Sequence, residues 1–418
     1  MKTKIIITTG GTGGHIFPAQ TIAKKLSEQN FRVVVFGDKN YAKYHKPTSP
    51  YQSRIISSSK LNKSPVALVK AVIKISWGIF QSLILLLKYQ PKVVVAFGGY
   101  STFPVLVAAI ILRKKIILHE QNAHLGKVNR IFAKFAAKIA LSYEQTDGFE
   151  REKNSEQLFL AKKGIGDSQS LGNDTNNKFV FTGNPVREEI LALQNQEYQL
   201  PDFNEQLNVV DNLGYDVLLA SQFYKHNKNG NENTSDNPFH ILVVGGSGGA
   251  KIFSDVLPKA LFNLRDEIKN RISITQQCRL DLLPATLEQY QSFNLNIVIS
   301  NFFDNMVKEI AKAHLVIARS GSSSVAELTC AKKPMILVPF ALAADNHQEK
   351  NAQQLEKAGG AIVIKEQNFT INNITSTIEK LIDNPALLQK MSSNAFKCAV
   401  LDAGENLTKL IVGAVDAS

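Results

Sequence analysis

Ile5-Ile6-Ile7-Thr8-Thr9-Gly10-Gly11-Thr12-Gly13-Gly14 returns later in the chain as Ile241-Leu242-Val243-Val244-Gly245-Gly246-Ser247-Gly248-Gly249. Each copy is a β-branched apolar run, the mark of a buried strand, that breaks into a glycine-rich turn and then a helical pattern. Glycine at such a turn lets backbone N–H groups approach an anion, and the helix that follows adds its partial positive charge. One such turn suits any tight strand-to-helix connection. Two of them, each opening a run of alternating strands and helices, predict an α/β chain of two Rossmann-like domains. Their parallel sheets are expected to face one another across a cleft, with a phosphate-bearing ligand between them.

The rhythm of the chain agrees. Strands are predicted at 4–9, 32–37, 54–57, 92–97, 115–119, 138–142 and 179–182, then at 240–244, 272–276, 296–300, 314–318, 335–338 and 361–364. Helical patterns intervene, one starting near Pro18 and one running from Pro104 to about Leu112, with proline tolerated in a first turn. Strand, helix, strand at this spacing means parallel sheets with right-handed crossovers, whose ligands sit beyond the carboxyl ends of the strands. A junction near Gly183-Asn184-Pro185-Val186-Arg187 divides a domain of residues 1–187 from one of residues 188–400, and the helical tail 401–418 is expected to pack back on the first. Two segments, 162–177 and 225–237, are too polar to offset ordering entropy and read as surface loops.

Composition narrows the class. At 418 residues, 44% hydrophobic and 20% charged, the chain suits a soluble globular protein with more than one core. Cys278, Cys330 and Cys398 are an odd number without close spacing, which argues against a disulfide framework or a zinc site and suits a reducing cytosol. The apolar run at 5–7 is too short for a signal peptide. Charge is uneven. Residues 1–140 hold 22 Lys or Arg against Glu28, Asp38 and Glu120, whereas the remainder is net acidic. One half is therefore built to meet something anionic: nucleic acid, acidic lipid or a phosphorylated substrate.

The most apolar segment, 65–87, has the length of a membrane span, but Lys70 and Lys74 lie inside it, at roughly 2.5–3.5 kcal/mol for a central lysine. Two readings stand: a helix buried on one face, and a helix whose Trp77 and Phe80 leave an apolar patch for an anionic membrane interface, with Lys70, Lys74, Arg113, Lys114 and Lys115 around it.

Chemistry concentrates where strands end. His15 follows the first glycine turn and is the candidate base, its ordinary pKa near 6.5 suiting proton removal from a hydroxyl; Glu120 is the second candidate. Gly98-Gly99-Tyr100 supplies another backbone nest on the basic half. His119-Glu120-Gln121-Asn122 ends a strand in four polar groups, as a cleft wall does. Arg319-Ser320-Gly321-Ser322-Ser323-Ser324-Val325-Ala326-Glu327 reads as strand end, small-residue loop and helix start. It places N–H groups and hydroxyls for a diphosphate, with Glu327 one turn in for a ribose or merely for the helix dipole. Asp345-Asn346-His347-Gln348 and Asn351 bring polar groups to another strand exit. There is no Asp-x-Asp pair, no Gly-Lys-Ser/Thr phosphate loop and no nucleophilic-serine elbow.

In order and over nearly the whole chain, GGTGGH (10–15), GGY (98–100), HEQN (119–122), GNPVR (183–187), GGSGGA (245–250), RSGSSSVAE (319–327) and DNHQ (345–348) resemble the MurG family of GT-B N-acetylglucosaminyltransferases. The resemblance implies transfer of N-acetylglucosamine from UDP-N-acetylglucosamine to lipid I, giving lipid II, with inversion. It assigns Ser247, Ser322, Ser323, Ser324, Val325, Ala326 and Glu327 to the donor's diphosphate and ribose, Phe303 to uracil through its backbone, and Gln348 to sugar hydroxyls. Thr12, Gly13, Gly14, Asn122 and Arg187 match donor-contacting positions, and Gly98, Gly99 and Tyr100 the acceptor pyrophosphate. It implies no required metal and no further cofactor, no nucleic acid, and a peripheral place on the cytoplasmic face of the inner membrane. Ala326 and the serine-rich loop depart from the family's pattern, a difference expected to shift the diphosphate contacts slightly. Other GT-B transferases with a lipid acceptor, such as diacylglycerol, and UDP-N-acetylglucosamine 2-epimerases share the architecture.

Overall fold

The computed structural model describes residues 2–45, 47–60, 64–148, 177–201, 224–226, 238–246, 249–291, 296–303 and 305–417. Ser247 and nearly all of the two polar segments, 162–177 and 225–237, lie outside them. The chain divides into two compact units, Met1–Arg187 with Val400–Ser418, and Glu188–Ala399.

In the first unit the strands are β1 (Lys4–Thr8), β2 (Arg32–Gly37), β3 (Gln52–Ile55), β4 (Val93–Ala96), β5 (Lys115–Glu120), β6 (Lys138–Leu141) and β7 (Phe179–Phe181). They form one parallel sheet in the order β3-β2-β1-β4-β5-β6-β7. In the second unit β8 (Tyr224–His226), β9 (Phe239–Val244), β10 (Ile272–Gln277), β11 (Asn296–Ser300), β12 (Leu315–Ala318), β13 (Met335–Leu337) and β14 (Ala361–Val363) run in the order β14-β13-β12-β9-β10-β11-β8. Two α/β sheets, parallel except for the edge strand β8, are thus present, as the repeated strand–turn–helix pattern predicts. In both, winding reverses beside the strand that carries the glycine turn: between β1 and β4, and between β9 and β12. Such a reversal opens a crevice at the strands' carboxyl ends.

Period-two alternation explains the cores. Ile5 and Ile7 point to one face of the first sheet and Ile6 to the other. The first face is covered by helix α1 (Gly13–Glu28), through Ile16, Ala19, Ile22 and Leu26, and by the C-terminal Ala403–Asp416 helix, through Leu407, Ile411 and Val415. Lys115 Nζ donates to the carbonyls of Ala414 (2.8 Å) and Ala417 (3.2 Å), satisfying acceptors that end this helix. Leu86 and Tyr89 of helix α3 (Pro65–Tyr89) and Val105 and Leu106 of helix α4 (Phe103–Ile111) belong to the second core.

Three sequence readings need correction. Helix α1 starts at Gly13, so Pro18 lies inside it; the proline lacks only the N–H that would reach Gly14, near the helix start where that loss is small. Strand β3 lies two residues earlier than predicted, because it is a largely exposed edge strand and the apolar Ile55-Ile56 pair marks its end rather than its middle. Residues 225 and 226, read as loop, belong to β8, which pairs antiparallel with β11 at the sheet edge.

Helix α3 inverts the usual arrangement. Before Leu86 and Tyr89 its buried face is made of small residues, Ala71, Gly78 and Ser82, while Val69, Val72, Ile73, Trp77, Phe80 and Ile84 are exposed. A side chain at Gly78 would strike the Ser57 carbonyl, so the helix lies close on its own unit there. By length and composition α3 is apolar enough to cross a membrane.

Candidate functional site

The first unit gathers its motifs at the β1/β4 reversal. Gly10 lies so near Asp38 and Ser101 that a Cβ would stand 2.6 Å from Asp38 Oδ1 and 2.7 Å from Ser101 Oγ. The Asp38 carboxylate, nearly fully buried, accepts from Gly11 N–H (2.9 Å), Tyr41 N–H (2.9 Å) and the Tyr100 hydroxyl (3.2 Å). It caps helix α2 (Lys39–Tyr44) and ties the 10–14 turn to Tyr100. The Gly11 amide is therefore committed internally. Burial, with Asp38 alongside, raises the Tyr100 pKa, so its hydroxyl stays a donor. Helix α1 begins beyond Thr12 with no side-chain cap, which leaves its N-terminal end suited to an anion.

His15, half-buried in the first turn of α1, approaches the Gly98-Gly99 turn. A Cβ at Gly99 would come within 3.4 Å of its Cδ2 and 3.6 Å of its Nε2, and Gly99 has φ +80°. The opposite ring nitrogen, Nδ1, is 2.8 Å from Gln121 Oε1. The structure thus brings His15, Gly98, Gly99 and Tyr100 together.

Glu120 has a different setting. Only 1% exposed, its carboxylate accepts from Asn122 N–H (3.0 Å) and Nδ2 (3.1 Å), Gly126 N–H (2.8 Å) and Asn129 Nδ2 (2.8 Å). These four donors occupy the carboxylate and make Glu120 a brace of the 120–129 loop, a setting unlike that of His15. Asn122 is folded back onto it. Arg187 lies over the Phe17 ring of α1, its guanidinium carbon 5.0 Å from the centroid.

The second unit places its motifs at the β9/β12 reversal. The Ser322–Cys330 helix begins beyond Gly321 with no side-chain cap, so Ser322, Ser323, Ser324 and Val325 form its first turn, with Ala326 and Glu327 following. Arg319 is committed inside the unit. It donates to the carbonyls of Val338 (3.0 Å) and Pro339 (3.3 Å), pairs with Glu366, and lies between the Phe253 and Phe340 rings. It braces strand ends and does not belong with the groups expected to meet a diphosphate. Asn351, one of the polar groups expected at a strand exit, is buried and donates to the Ser320 carbonyl. Gln348 accepts from the Phe340 N–H (3.0 Å), while its own carbonyl accepts from Ser320 Oγ (2.8 Å). The Phe303 ring is buried, and Ser300 Oγ donates to the neighbouring Phe302 carbonyl (2.7 Å), fixing the backbone there.

Asp38 and Asn129 were not singled out by sequence. An acidic residue ending the second strand after a glycine turn is the available signal for Asp38. Asn129 has no local signal. The buried Ser101 hydroxyl and Asn184 amide find no protein partner. Among the described residues no group of three or more His, Cys, Asp or Glu is placed to hold a metal ion.

The sequence matches the glycosyltransferase family 28 N-terminal domain over residues 5–141 and the family 28 C-terminal domain over residues 240–407. A UDP-N-acetylglucosamine–N-acetylmuramyl-(pentapeptide) pyrophosphoryl-undecaprenol N-acetylglucosamine transferase of Paramagnetospirillum magneticum is 31% identical over 415 residues, 99% of this chain and 97% of that protein. Among solved structures, Acinetobacter baumannii MurG aligns with TM-score 0.66 at 24% identity, over 99% of this chain and 100% of that one. A UDP-GlcNAc 2-epimerase from Neisseria meningitidis, bound to UDP-GlcNAc, aligns with TM-score 0.61 at 14% identity, over 98% and 100%, a likeness of fold alone. With near-complete coverage at 31% identity and the ordered motifs in place, the chain belongs to the MurG family of UDP-N-acetylglucosamine-dependent glycosyltransferases.

Proposed function

We propose that this enzyme moves N-acetylglucosamine from UDP-N-acetylglucosamine to the C4 hydroxyl of the muramyl sugar of undecaprenyl-pyrophosphoryl-MurNAc-pentapeptide, converting lipid I to lipid II in peptidoglycan synthesis. The observation that carries this reading is His15, held beside the Gly98-Gly99 turn in a chain whose full-length relatives bear the name of that reaction.

The step is a single displacement with inversion. His15 takes the proton of the C4 hydroxyl, the oxygen attacks the anomeric carbon, and the bond to UDP breaks with its electron pair leaving on the diphosphate. Charge on that diphosphate is met by the uncapped start of the Ser322–Cys330 helix, with Ser247 and residues 322–327 as its partners, Glu327 on the ribose, Phe303 on uracil and Gln348 on the sugar. Thr12, Gly13, Gly14, Asn122 and Arg187 are assigned to the same donor by motif match, and Gly98, Gly99 and Tyr100 to the acceptor pyrophosphate. Helix dipoles and N–H groups serve where other transferases use a divalent ion, so no metal is required.

The exposed apolar face of α3 supports peripheral attachment to the cytoplasmic face of the inner membrane. Trp77 (55% exposed) and Phe80 (52%) project outward with Lys70, Lys74 and Lys88 on the same helix. Apolar groups sink into the interface while the lysines meet anionic headgroups, at about 1 kcal/mol each. Nucleic acid lacks a use for that apolar face.

Lipid I-dependent release of UDP with EDTA present tests the reaction. Turnover with diacylglycerol instead of lipid I, or conversion of the donor without any acceptor, overturns it. Replacing Trp77 and Phe80 together by serine is expected to lower association with anionic liposomes about tenfold or more while UDP binding is unchanged; undiminished association removes the membrane assignment.

A further inference from the structure

Three of the sequence motifs end in one string of hydrogen bonds within the first unit. Gly183 of GNPVR offers its carbonyl 3.2 Å from His119 Nε2; His119 Nδ1 lies 2.9 Å from Gln121 Nε2; Gln121 Oε1 lies 2.8 Å from His15 Nδ1. A backbone carbonyl only accepts, so it fixes the direction of every bond before it. His119 must carry its proton on Nε2. Its Nδ1 is then a bare acceptor, which requires the NH2 end of Gln121 to face it. The amide oxygen is left facing His15, whose Nδ1 must be the donor.

The surroundings favour this direction, although the Gly183 carbonyl also accepts from Thr182 Oγ1 (3.1 Å). Ser142 Oγ, 3.4 Å from His119 Nε2, also has the Gly183 carbonyl at 3.5 Å to receive its hydroxyl proton. An unprotonated Nε2 would set its lone pair against that same carbonyl. His119 is fully buried with the Phe97 ring 5.0 Å away, and burial, reinforced by nearby His15, lowers its pKa to about 4. It is neutral at physiological pH and has a single proton to place.

We infer that His119 and Gln121 are positioning residues that lock His15 in its Nδ1–H tautomer, so that Nε2, the nitrogen beside the Gly98-Gly99 turn, keeps the lone pair for the acceptor hydroxyl. This rests on the reaction proposed above. When Nε2 takes the hydroxyl proton, the resulting imidazolium still donates from Nδ1 to Gln121, and the Nε2 proton is lost to solvent after UDP has left. The amide relay stabilises the charged ring without itself moving a proton. Gly183, in the left-handed region at φ +78°, turns its carbonyl into the string.

Nitrogen NMR of 15N-histidine-labelled protein near neutral pH reads the lock directly, with His15→Asn and His119→Asn used for assignment. Opposite tautomers are expected: proton on Nδ1 in His15, on Nε2 in His119. Gln121→Met, of similar volume but unable to bond either ring, is expected to give a mixture of His15 tautomers and to lower kcat for lipid I about 10- to 100-fold, with KM for UDP-N-acetylglucosamine and thermal melting little changed. Gln121→Glu keeps an acceptor for His15 but loses the donor to His119, so it is expected to hold the His15 proton on Nδ1, to move the His119 proton, and to recover only part of kcat. A His15 proton on Nε2 in the unaltered enzyme, a Gln121→Met protein with unchanged kcat, or a loss confined to KM or melting overturns the lock. If the unaltered enzyme does not turn over lipid I, the reaction falls while the spectra still decide the tautomers.

Discussion

The glycine-rich sequences 10–14 and 245–249 follow equivalent strands in two sheets wound alike, yet the first leads to His15 and the second to Ala250. In the first unit the helix opens at Gly13 and carries His15 in its first turn; in the second it opens only at Lys251, so Ala250 is its extended N-cap. The glycines are the shared part, a strand exit that brings backbone to an anion. The side chain after them is what differs. Around His15 the polar side chains are tied within the unit, Gln121 to His15 and His119, Asp38 to Tyr100, and Glu120 to Asn122 and Asn129. Around the Ser322–Cys330 helix the larger polar groups, Arg319 and Asn351, brace the backbone and leave the N-terminal turn to present itself. Under the proposed reaction, one unit holds a proton acceptor still and the other grips by main chain.

The strongest way to break that contrast is His15→Ala, expected to lower kcat about 10²- to 10⁴-fold with UDP affinity unchanged, by steady-state kinetics and calorimetry. Equal losses in kcat and UDP affinity would place His15 with the gripping groups. Acid separates the units next. The first buries His119, held down to about 4; the second buries His240, held down to about 3, and His314, held down to about 4, all chiefly by burial. Each stays neutral in the fold but takes a proton on unfolding below its ordinary pKa near 6.5. Each therefore removes about 1.4 kcal/mol of stability per pH unit as pH falls from there toward about 4. Between pH 7 and 5, hydrogen exchange corrected for intrinsic rate is expected to lose protection about twice as steeply, in free energy, in β9 and β12 as in β5. Least in size, Glu327→Ala is expected to weaken UDP-N-acetylglucosamine binding about 10- to 100-fold, the worth of charge-assisted bonds to a ribose, with kcat at saturation little altered. Unchanged affinity would reduce Glu327 to a helix residue.

Sequence reading located the strands well because buried parallel strands are nearly continuous β-branched runs, as in Ile5-Ile6-Ile7 and Val93-Val94-Val95. It faltered where a local cue outweighed context: Pro18 drew the helix start five residues late, and Ile55-Ile56 drew β3 two residues late. The motifs were legible as places but only partly as roles. Glu120, Arg319 and Asn351 look like ligand groups in sequence, and only their partners show them to be internal braces. The pairing of His15 with Gln121 joins residues 106 apart, and no local pattern carries such a pairing.

The Ala403–Asp416 helix has a consequence for how the molecule is made. Leu407, Ile411 and Val415 complete a core whose other walls lie within residues 5–140, so they leave the ribosome only after the entire Glu188–Ala399 unit. Until then that face of the first sheet is covered by α1 but lacks its last helix, so the amino-terminal unit is expected to close only once the carboxyl-terminal residues have emerged, and to expose apolar surface in the interval.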